Sequence, residues 1–217
     1  ARPELFPEIA EKANNLQWIQ LPYAGIEPFA HHLNSKWFWT CGKGVYAPAV
    51  AETVLALALS LSKNLHNYAR ETEWSGPVGS YLQGANVTIL GGGGITVELL
   101  PLLAPFNCTT TVIRNKPVEL PAASFTYTSE RFEEVLEKTD LLILALALTN
   151  ETSGIINEKV FDLLPTHSFL VNVARGGHIV TDDLVEALEK GKIAGAALDV
   201  TDPEPLPAGH PLWSISR

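Results

Sequence analysis

Methionine and cysteine are the residue types that this sequence most lacks: it has no Met and two Cys in 217 residues. Cys41 and Cys108 are far apart and have no metal-ligand spacing, which argues against a disulfide framework and a zinc site. We therefore expect two ordinary thiols in a reducing, cytoplasmic compartment. Because a protein of this size normally carries several methionines, we also expect either a fragment that is incomplete at both ends or a sequence that has lost its methionines.

Long apolar runs and an excess of basic charge are also missing. The longest apolar stretch, 54–62, is too short to span a bilayer, and no secretory leader pattern is present. Acidic residues outnumber basic ones by 24 to 15, a net charge of −9, whereas nucleic-acid binding needs a basic face. We expect no membrane and no nucleic-acid partner.

Residues from about 85 onward alternate short apolar runs with longer amphipathic ones. Near-continuous apolar strands separated by helices are typical of a parallel sheet that is covered on both faces. The pattern predicts an α/β fold with a doubly wound parallel (Rossmann) sheet. The predicted strands are 86–90, 108–113, 140–148, 168–174 and 194–200, and the predicted helices are 91–106, 129–139, 157–164 and 182–191.

The first 45 residues have a different pattern. They contain two predicted strands, 16–21 and 36–41, and are followed by a long apolar helix at about 46–65. Two strands cannot bury a core alone. We expect residues 1–45 to be part of a second domain and residues 46–217 to form a dinucleotide-binding domain, with the apolar helix either opening that domain or acting as a hinge.

A glycine-rich turn follows the first strand of the α/β region and opens a helix, which is the context that a dinucleotide motif requires. Gly91 allows the tight turn, and Gly93 lets the backbone approach a pyrophosphate at the helix N-terminus. Gly94 and Ile95 complete the predicted phosphate loop. Thr96 occupies the position of the third glycine, so that it either shifts the helix away from the strand or offers its hydroxyl to a phosphate.

The end of the second strand of this region bears on the choice between NAD and NADP. An acidic residue there would bind the ribose 2′-hydroxyl, but the twenty-third residue after Gly91 is Arg114. A cation at this place favours a 2′-phosphate and therefore NADP, with NAD still possible. The alternative is a solvated arginine in a loop.

Arg175 and Glu204 follow the last two predicted strands. A guanidinium can hold a carboxylate in bidentate geometry, and a carboxylate can orient a histidine and favour its protonated form. These are two of the three groups needed to reduce a 2-oxo acid; the third is a histidine. A lone Arg–Glu pair of this kind is otherwise usually a structural salt bridge.

Six segments, taken in order, resemble the D-isomer-specific 2-hydroxyacid dehydrogenases. They are PYAGIEPF (22–29), GVYAPAVAETVLALAL (44–59), GGGGIT (91–96), LALALTNET (144–152), LVNVARGG (170–177) and GKIAGAALDVTDPEPLPAGHPLW (191–213). The resemblance implies that the first 45 residues are part of a flavodoxin-like substrate-binding domain. It also implies a homodimer formed through the nucleotide-binding domain, with the apolar helix 50–61 as a contact.

The resemblance implies roles for individual residues. Arg175 would bind the substrate carboxylate and polarise the 2-oxo group, and Glu204 would hydrogen-bond a catalytic histidine beyond Arg217. His210 is not at the position of the family's proton donor. The substrate carboxylate would also be held by the backbone amides of Ala24, Gly25 and Ile26, and the cofactor by Thr149, Val173, Ala174 and Asp199.

The function implied is reversible hydride transfer between NADP(H) and a small 2-oxo acid, such as glyoxylate or hydroxypyruvate, giving the D-2-hydroxy acid. One alternative is a dinucleotide-sensing regulatory protein, similar to the dehydrogenase-like corepressors, which would use the same fold without turnover. A third possibility is a protein that binds the cofactor and turns nothing over.

Overall fold

The computed structural model describes residues 3–33, 36–116 and 118–216, without the side chains of Pro3 and Glu27. The chain forms two compact units, Ala1–Ala47 and Pro48–Arg217. Within the described ranges, no helix is long and apolar enough to cross a membrane.

The first unit contains one α-helix and two parallel strands. Helix α1 is Phe6–Lys12, and strands β1 (Trp18–Leu21) and β2 (Phe38–Cys41) pair in parallel. A 3-10 helix, Glu27–His32, lies between the strands in the sequence. Aromatic rings make up much of the packing: the centroid of Phe6 lies 5.8 Å from that of Phe29 and 5.3 Å from that of Trp39.

The second unit is built on a sheet of six parallel strands, in the order β5-β4-β3-β6-β7-β8. The strands are β3 (Asn86–Leu90), β4 (Thr109–Ile113), β5 (Phe125–Tyr127), β6 (Leu141–Leu144), β7 (Phe169–Asn172) and β8 (Gly195–Leu198). The predicted doubly wound parallel sheet is confirmed. Since the direction of winding reverses between β3 and β6, the carboxyl ends of these strands border the crevice where such sheets bind ligands.

Helices cover both faces of this sheet. They are α2 (Ala47–Ser62), α3 (Leu65–Tyr68), α4 (Gly94–Leu103), α5 (Phe132–Leu136), α6 (Glu158–Leu163) and α7 (Thr181–Glu189). One apolar cluster joins the sheet to α2 and α4, and the other joins it to α5, α6 and α7. Every residue of β6 is buried, as expected for a central strand covered on both sides.

Three details of the predicted elements were wrong. The strand predicted for 140–148 ends at Leu144, because the chain then leaves the sheet and forms a loop beside the crevice. The helix predicted for 129–139 is shorter: a 3-10 turn, Ser129–Arg131, precedes α5. Strand β5 was missed, since three residues at a sheet edge leave no alternating pattern to detect.

Replacing a large side chain in the central strand β6 by a small one should be strongly destabilising. Leu142 is completely buried in β6, so Leu142→Ala leaves a cavity between two packed layers. We expect the free energy of unfolding to fall by about 3 kcal/mol in urea denaturation. The matched control is Val97→Ala, at a half-exposed position on α4, which should change that free energy by less than about 0.5 kcal/mol. Equal losses in the two variants would contradict this account of the core.

Candidate active site

Gly91 joins the ends of β3 and β6 at the crevice. Its φ is +105°, a left-handed conformation that favours glycine. A Cβ atom at this position would lie 2.4 Å from the carbonyl oxygen of Ala145, the first residue after β6. The backbone N–H of Gly91 donates to Ile113 O at 2.8 Å. The turn therefore needs glycine both for its conformation and for the close approach of the neighbouring chain.

The N-terminus of α4 is open to ligands. Gly93 is the N-cap residue and α4 begins at Gly94; both glycines are exposed. Nothing lies within 4 Å of the position that a Cβ atom of Gly93 would take. The first N–H groups of a helix lack partners within the helix and point along its axis, where the helix dipole favours an anion. The open space and these N–H groups fit a pyrophosphate.

Thr96 uses its hydroxyl inside this loop. The side chain is completely buried, and Oγ1 donates to Gly91 O at 2.6 Å. Of the two alternatives for Thr96, the geometry therefore disfavours a contact between the hydroxyl and a phosphate. Ile95 is half-buried in the first turn of α4. The roles of Ile95 and Thr96 in cofactor binding stay predictions. For Thr96, a contact with the cofactor would have to be made by the backbone.

Arg114 lies across the glycine turn. It follows β4 directly, and its backbone N–H donates to Tyr127 O at 3.0 Å. The side-chain atoms Cδ and Nε lie 3.0 Å from the point where a Cβ atom of Gly92 would be. Nη1 donates to Val118 O at 3.1 Å, so the half-buried side chain is held in place. This geometry argues against a freely solvated arginine, and the role of Arg114 in cofactor binding stays a prediction.

The backbone around Arg175 is positioned by Asn172, which the sequence reasoning missed. The Asn172 side chain is completely buried at the end of β7. Its Oδ1 accepts from the N–H of Ala174 at 3.0 Å, and its Nδ2 donates to Arg175 O at 2.9 Å. Arg175 itself is half-buried, and Nη1 donates to Ala174 O at 2.7 Å. An amide inside the otherwise apolar run 168–174 was the signal that could have revealed this residue.

Gly176 brings the loop after β7 against the loop after β8. A Cβ atom at Gly176 would lie 2.0 Å from the carbonyl carbon and oxygen of Thr201, so no larger residue fits. Next to this contact, the N–H of Asp199 donates to Asn172 O at 2.9 Å. The loops that carry Arg175 and Asp199 are therefore neighbours at the carboxyl edge of the sheet. Glu204 lies on the second of these loops and is exposed.

The loop after β6 carries Thr149. Its N–H donates to the Oγ1 atom of Thr152 at 2.8 Å. The Thr149 hydroxyl donates to the Glu151 carboxylate at 2.6 Å, and this bond lowers the pKa of Glu151 below its usual value. Thr149 is exposed at the carboxyl end of β6, as a residue that lines a cofactor cleft should be. Its role stays a prediction.

Val173 and Ala174 present backbone rather than side chains. Both side chains are buried, in the clusters on opposite faces of the sheet. The N–H of Val173 donates to Leu144 O at 3.3 Å, which ties the end of β7 to that of β6. A contact of either residue with a cofactor would therefore be made by the main chain, and it also stays a prediction.

The predicted substrate loop belongs to the first unit. Ala24 and Ile26 are exposed there, whereas Gly25 is buried. Ile26 precedes the 3-10 helix, and its carbonyl accepts from Phe29 N at 2.9 Å. The carboxylate-binding role of these three residues stays a prediction.

His210 has a local structural role. Its Nδ1 accepts from the N–H of Leu212 at 3.3 Å and caps the 3-10 helix Pro211–Trp213. This bond occupies Nδ1 only, and the interpretation that His210 is not the proton donor stays a prediction.

Comparisons with known proteins agree with this geometry. The model of the family described as D-isomer specific 2-hydroxyacid dehydrogenase, NAD binding domain, matches residues 54–217. The chain is 39% identical to an uncharacterized protein in the proB 3′ region of Corynebacterium melassecola, over 97% of this chain and 72% of that protein. It is 33% identical to glyoxylate/hydroxypyruvate reductase A of Serratia proteamaculans, over 79% of this chain and 56% of the relative.

A solved structure supports the same assignment. The D-isomer specific 2-hydroxyacid dehydrogenase of Xanthobacter autotrophicus, in complex with NADPH and MES, has a TM-score of 0.83 at 27% identity. The match covers 94% of this chain and 66% of that one. The chain thus spans between about half and three quarters of the length of these three proteins. It belongs to the D-isomer specific 2-hydroxyacid dehydrogenase family, and residues 54–217 form its NAD-binding domain.

Proposed function

We propose that the protein transfers a hydride between NADP(H) and a small 2-oxo acid, giving a D-2-hydroxy acid. The observation that carries this proposal is the placement of Arg175, whose loop is held by Asn172 and by the close packing of Gly176. The same edge of the sheet presents the open N-terminus of α4. A cation that can bind a carboxylate beside a site for a nucleotide suits reduction of a 2-oxo acid.

The residues predicted to surround the substrate and the nicotinamide have the following roles in this proposal. The nicotinamide nucleotide supplies the hydride when bound. Arg175 binds the substrate carboxylate and polarises the 2-oxo group. Glu204 orients a catalytic histidine, and that histidine protonates the oxygen of the reduced carbonyl. The Asp199 carboxylate accepts a hydrogen bond from the nicotinamide carboxamide and so selects the face of the ring, while Thr149 and the backbone of 173–174 line the cleft.

The name of the Serratia relative, a glyoxylate/hydroxypyruvate reductase, supports this substrate class. Both compounds are small 2-oxo acids with one carboxylate, as the proposed role of Arg175 requires. We therefore propose glyoxylate and hydroxypyruvate as substrates.

Turnover by the intact protein tests the proposal. We expect the protein to oxidise NADPH in the presence of glyoxylate or hydroxypyruvate. The loss of NADPH absorbance at about 340 nm measures this reaction. Arg175→Lys should lower kcat/KM about a hundredfold, because an ammonium cannot reproduce the bidentate geometry of a guanidinium. The matched control is Arg131→Lys, at an exposed arginine paired with Glu134, which should leave kcat/KM unchanged.

Absence of turnover with every 2-oxo acid in a panel would overturn the enzymatic proposal. If NADPH still bound under those conditions, the dinucleotide-sensing alternative would take its place. Full activity of the Arg175→Lys variant would refute the role of Arg175 alone.

We propose NADP as the preferred cofactor because Arg114 lies over the glycine turn, where the 2′-phosphate of a bound nucleotide would approach. The solved structure with NADPH is a member of the same family. Arg114→Ala should raise the KM for NADPH about tenfold or more while leaving the KM for NADH nearly unchanged, since only NADPH carries the extra phosphate.

Steady-state kinetics with both nucleotides measure this selectivity. Lys116→Ala is the matched control: Lys116 is exposed two residues further on, and its loss should affect both nucleotides little. A wild-type protein that strongly prefers NADH would contradict the role given to Arg114.

We propose a homodimer formed through α2. One side of this helix packs into the core through Ala51, Val54 and Ala58, yet the residues on the other side are also mostly apolar. Ala56 is exposed, and Leu55 and Leu59 are only half-buried. A helix whose outer side is also mostly apolar is normally covered there as well, which favours a second copy as its cover.

Sedimentation equilibrium tests this assembly. We expect twice the mass of the single protein, and Ala56→Glu should shift the protein toward the monomer because it places a charge in the contact. Val97→Glu, on the exposed side of α4, is the control and should leave the mass at the dimer value. A monomeric wild-type protein would rule out the proposed dimer.

We propose the cytoplasm as the place of action. Cys41 and Cys108 are both free thiols, as is usual in a reducing compartment.

A further inference from the structure

His178 reaches across the base of the loop that follows β6. The imidazole ring is completely buried, and each of its nitrogens faces a backbone carbonyl oxygen. Nδ1 lies 3.0 Å from Thr152 O, and Nε2 lies 3.3 Å from Leu146 O. These two carbonyls stand at the two ends of the segment 146–152, which we call the β6 loop.

His178 also belongs to the loop that carries Arg175. Its own N–H donates to Arg175 O at 3.3 Å, and its carbonyl accepts from Ile156 N at 2.9 Å. Next to it, the carbonyl of Gly177 accepts from Gly154 N at 2.9 Å. A Cβ atom at Gly177 would lie 3.3 Å from a methyl carbon of Leu148, so this residue packs directly on the β6 loop. Main-chain bonds therefore join the loop that carries Arg175 to Gly154 and Ile156, just after the β6 loop, and the His178 ring contacts the two ends of the β6 loop itself.

An apolar residue in place of His178 could not donate a hydrogen bond to the carbonyl oxygens of the β6 loop. A carbonyl oxygen only accepts, so a ring nitrogen bonds to it only when that nitrogen carries a proton. A neutral imidazole carries one such proton, so the ring donates either from Nδ1 to Thr152 O or from Nε2 to Leu146 O. A buried polar ring is costly unless its nitrogens find partners, whereas an aliphatic side chain of similar size would pack here without that cost. The polar ring is thus suited to holding the loop rather than to filling space.

We infer that His178 is a positioning residue: it fixes the β6 loop, with Thr149 at its exposed turn, relative to Arg175. The inference rests on the proposed function, in which Thr149 lines the cofactor cleft and Arg175 binds the substrate. A displacement of about 1 Å between such groups is enough to slow a reaction a hundredfold. His178 acts through these residues and does not itself touch the reacting atoms.

Amide hydrogen exchange of the intact protein, read by mass spectrometry, tests the inference without turnover. His178→Leu should speed exchange in peptides covering 146–154 about tenfold, because the base of the loop has lost its connection. His178→Gln keeps one donor and should exchange at an intermediate rate. The control is His167→Leu, at an exposed histidine paired with Asp140 at the other end of the sheet, which should leave these peptides unchanged.

Kinetics of the same variants give the second measurement. We expect His178→Leu to lower kcat/KM for glyoxylate about tenfold or more, mainly through a higher KM, with partial rescue in His178→Gln. Normal exchange in 146–154 together with normal kcat/KM in His178→Leu would overturn the inference. A wild-type protein without turnover would count against the proposed function instead, and the exchange data would then still decide whether His178 holds the loop.

A measurement on the unmodified protein covers the case in which His178→Leu does not fold. Nitrogen-15 NMR correlations of the histidine rings should find a proton on a ring nitrogen of His178 that exchanges slowly with water, as a bond to Thr152 O or to Leu146 O requires. A His178 ring without a slowly exchanging proton on either nitrogen would overturn the inference, because neither carbonyl would then have a donor.

Discussion

The burial of β3 and β6 between two helical layers is the constraint on which the rest of the structure depends. Both strands are apolar and pair in parallel, and their neighbours extend the sheet in opposite directions from them. Parallel strands must end at the same edge, so the chain leaves β3, β6, β7 and β8 at one side of the molecule. The residues proposed for cofactor and substrate binding in the second unit follow these strand ends.

Close backbone contacts then turn this edge into a site. At one end of the crevice, Gly91 lies against the carbonyl of Ala145, and at the other Gly176 lies against the peptide between Thr201 and Asp202. Neither contact leaves room for a Cβ atom. The buried Asn172 side chain donates to the carbonyl of Arg175, next to Gly176, and the buried His178 ring lies against the carbonyl of Thr152 in the β6 loop. The site is therefore shaped by packing of the main chain, with few side chains exposed to do chemistry.

Whether a feature could be predicted from the sequence depended on how far apart in the sequence its interacting residues lie. Five of the six strands, the glycine turn and the position of Arg175 were visible because each rests on residues that are neighbours in sequence. The true end of the strand predicted for 140–148 was not, since its apolar residues continue into a loop that is covered by other parts of the chain. His178 was missed for the same reason, since its partners lie 26 and 32 residues away. Asn172 has local partners, Ala174 and Arg175, and was missed although an amide in an apolar run was visible in the sequence.

The sequence by itself determined the α/β architecture, because hydrophobic periodicity is local, and turn chemistry predicted the place of the nucleotide loop. The residues proposed for catalysis came from the resemblance to a family. Only the tertiary structure decided how these residues are held. It placed the Arg114 side chain over the glycine turn, directed the Thr96 hydroxyl to Gly91, and set the His178 ring between two carbonyls of the β6 loop. Such arrangements depend on distances between segments that are remote in the chain, and these distances exist only once the sheet has assembled.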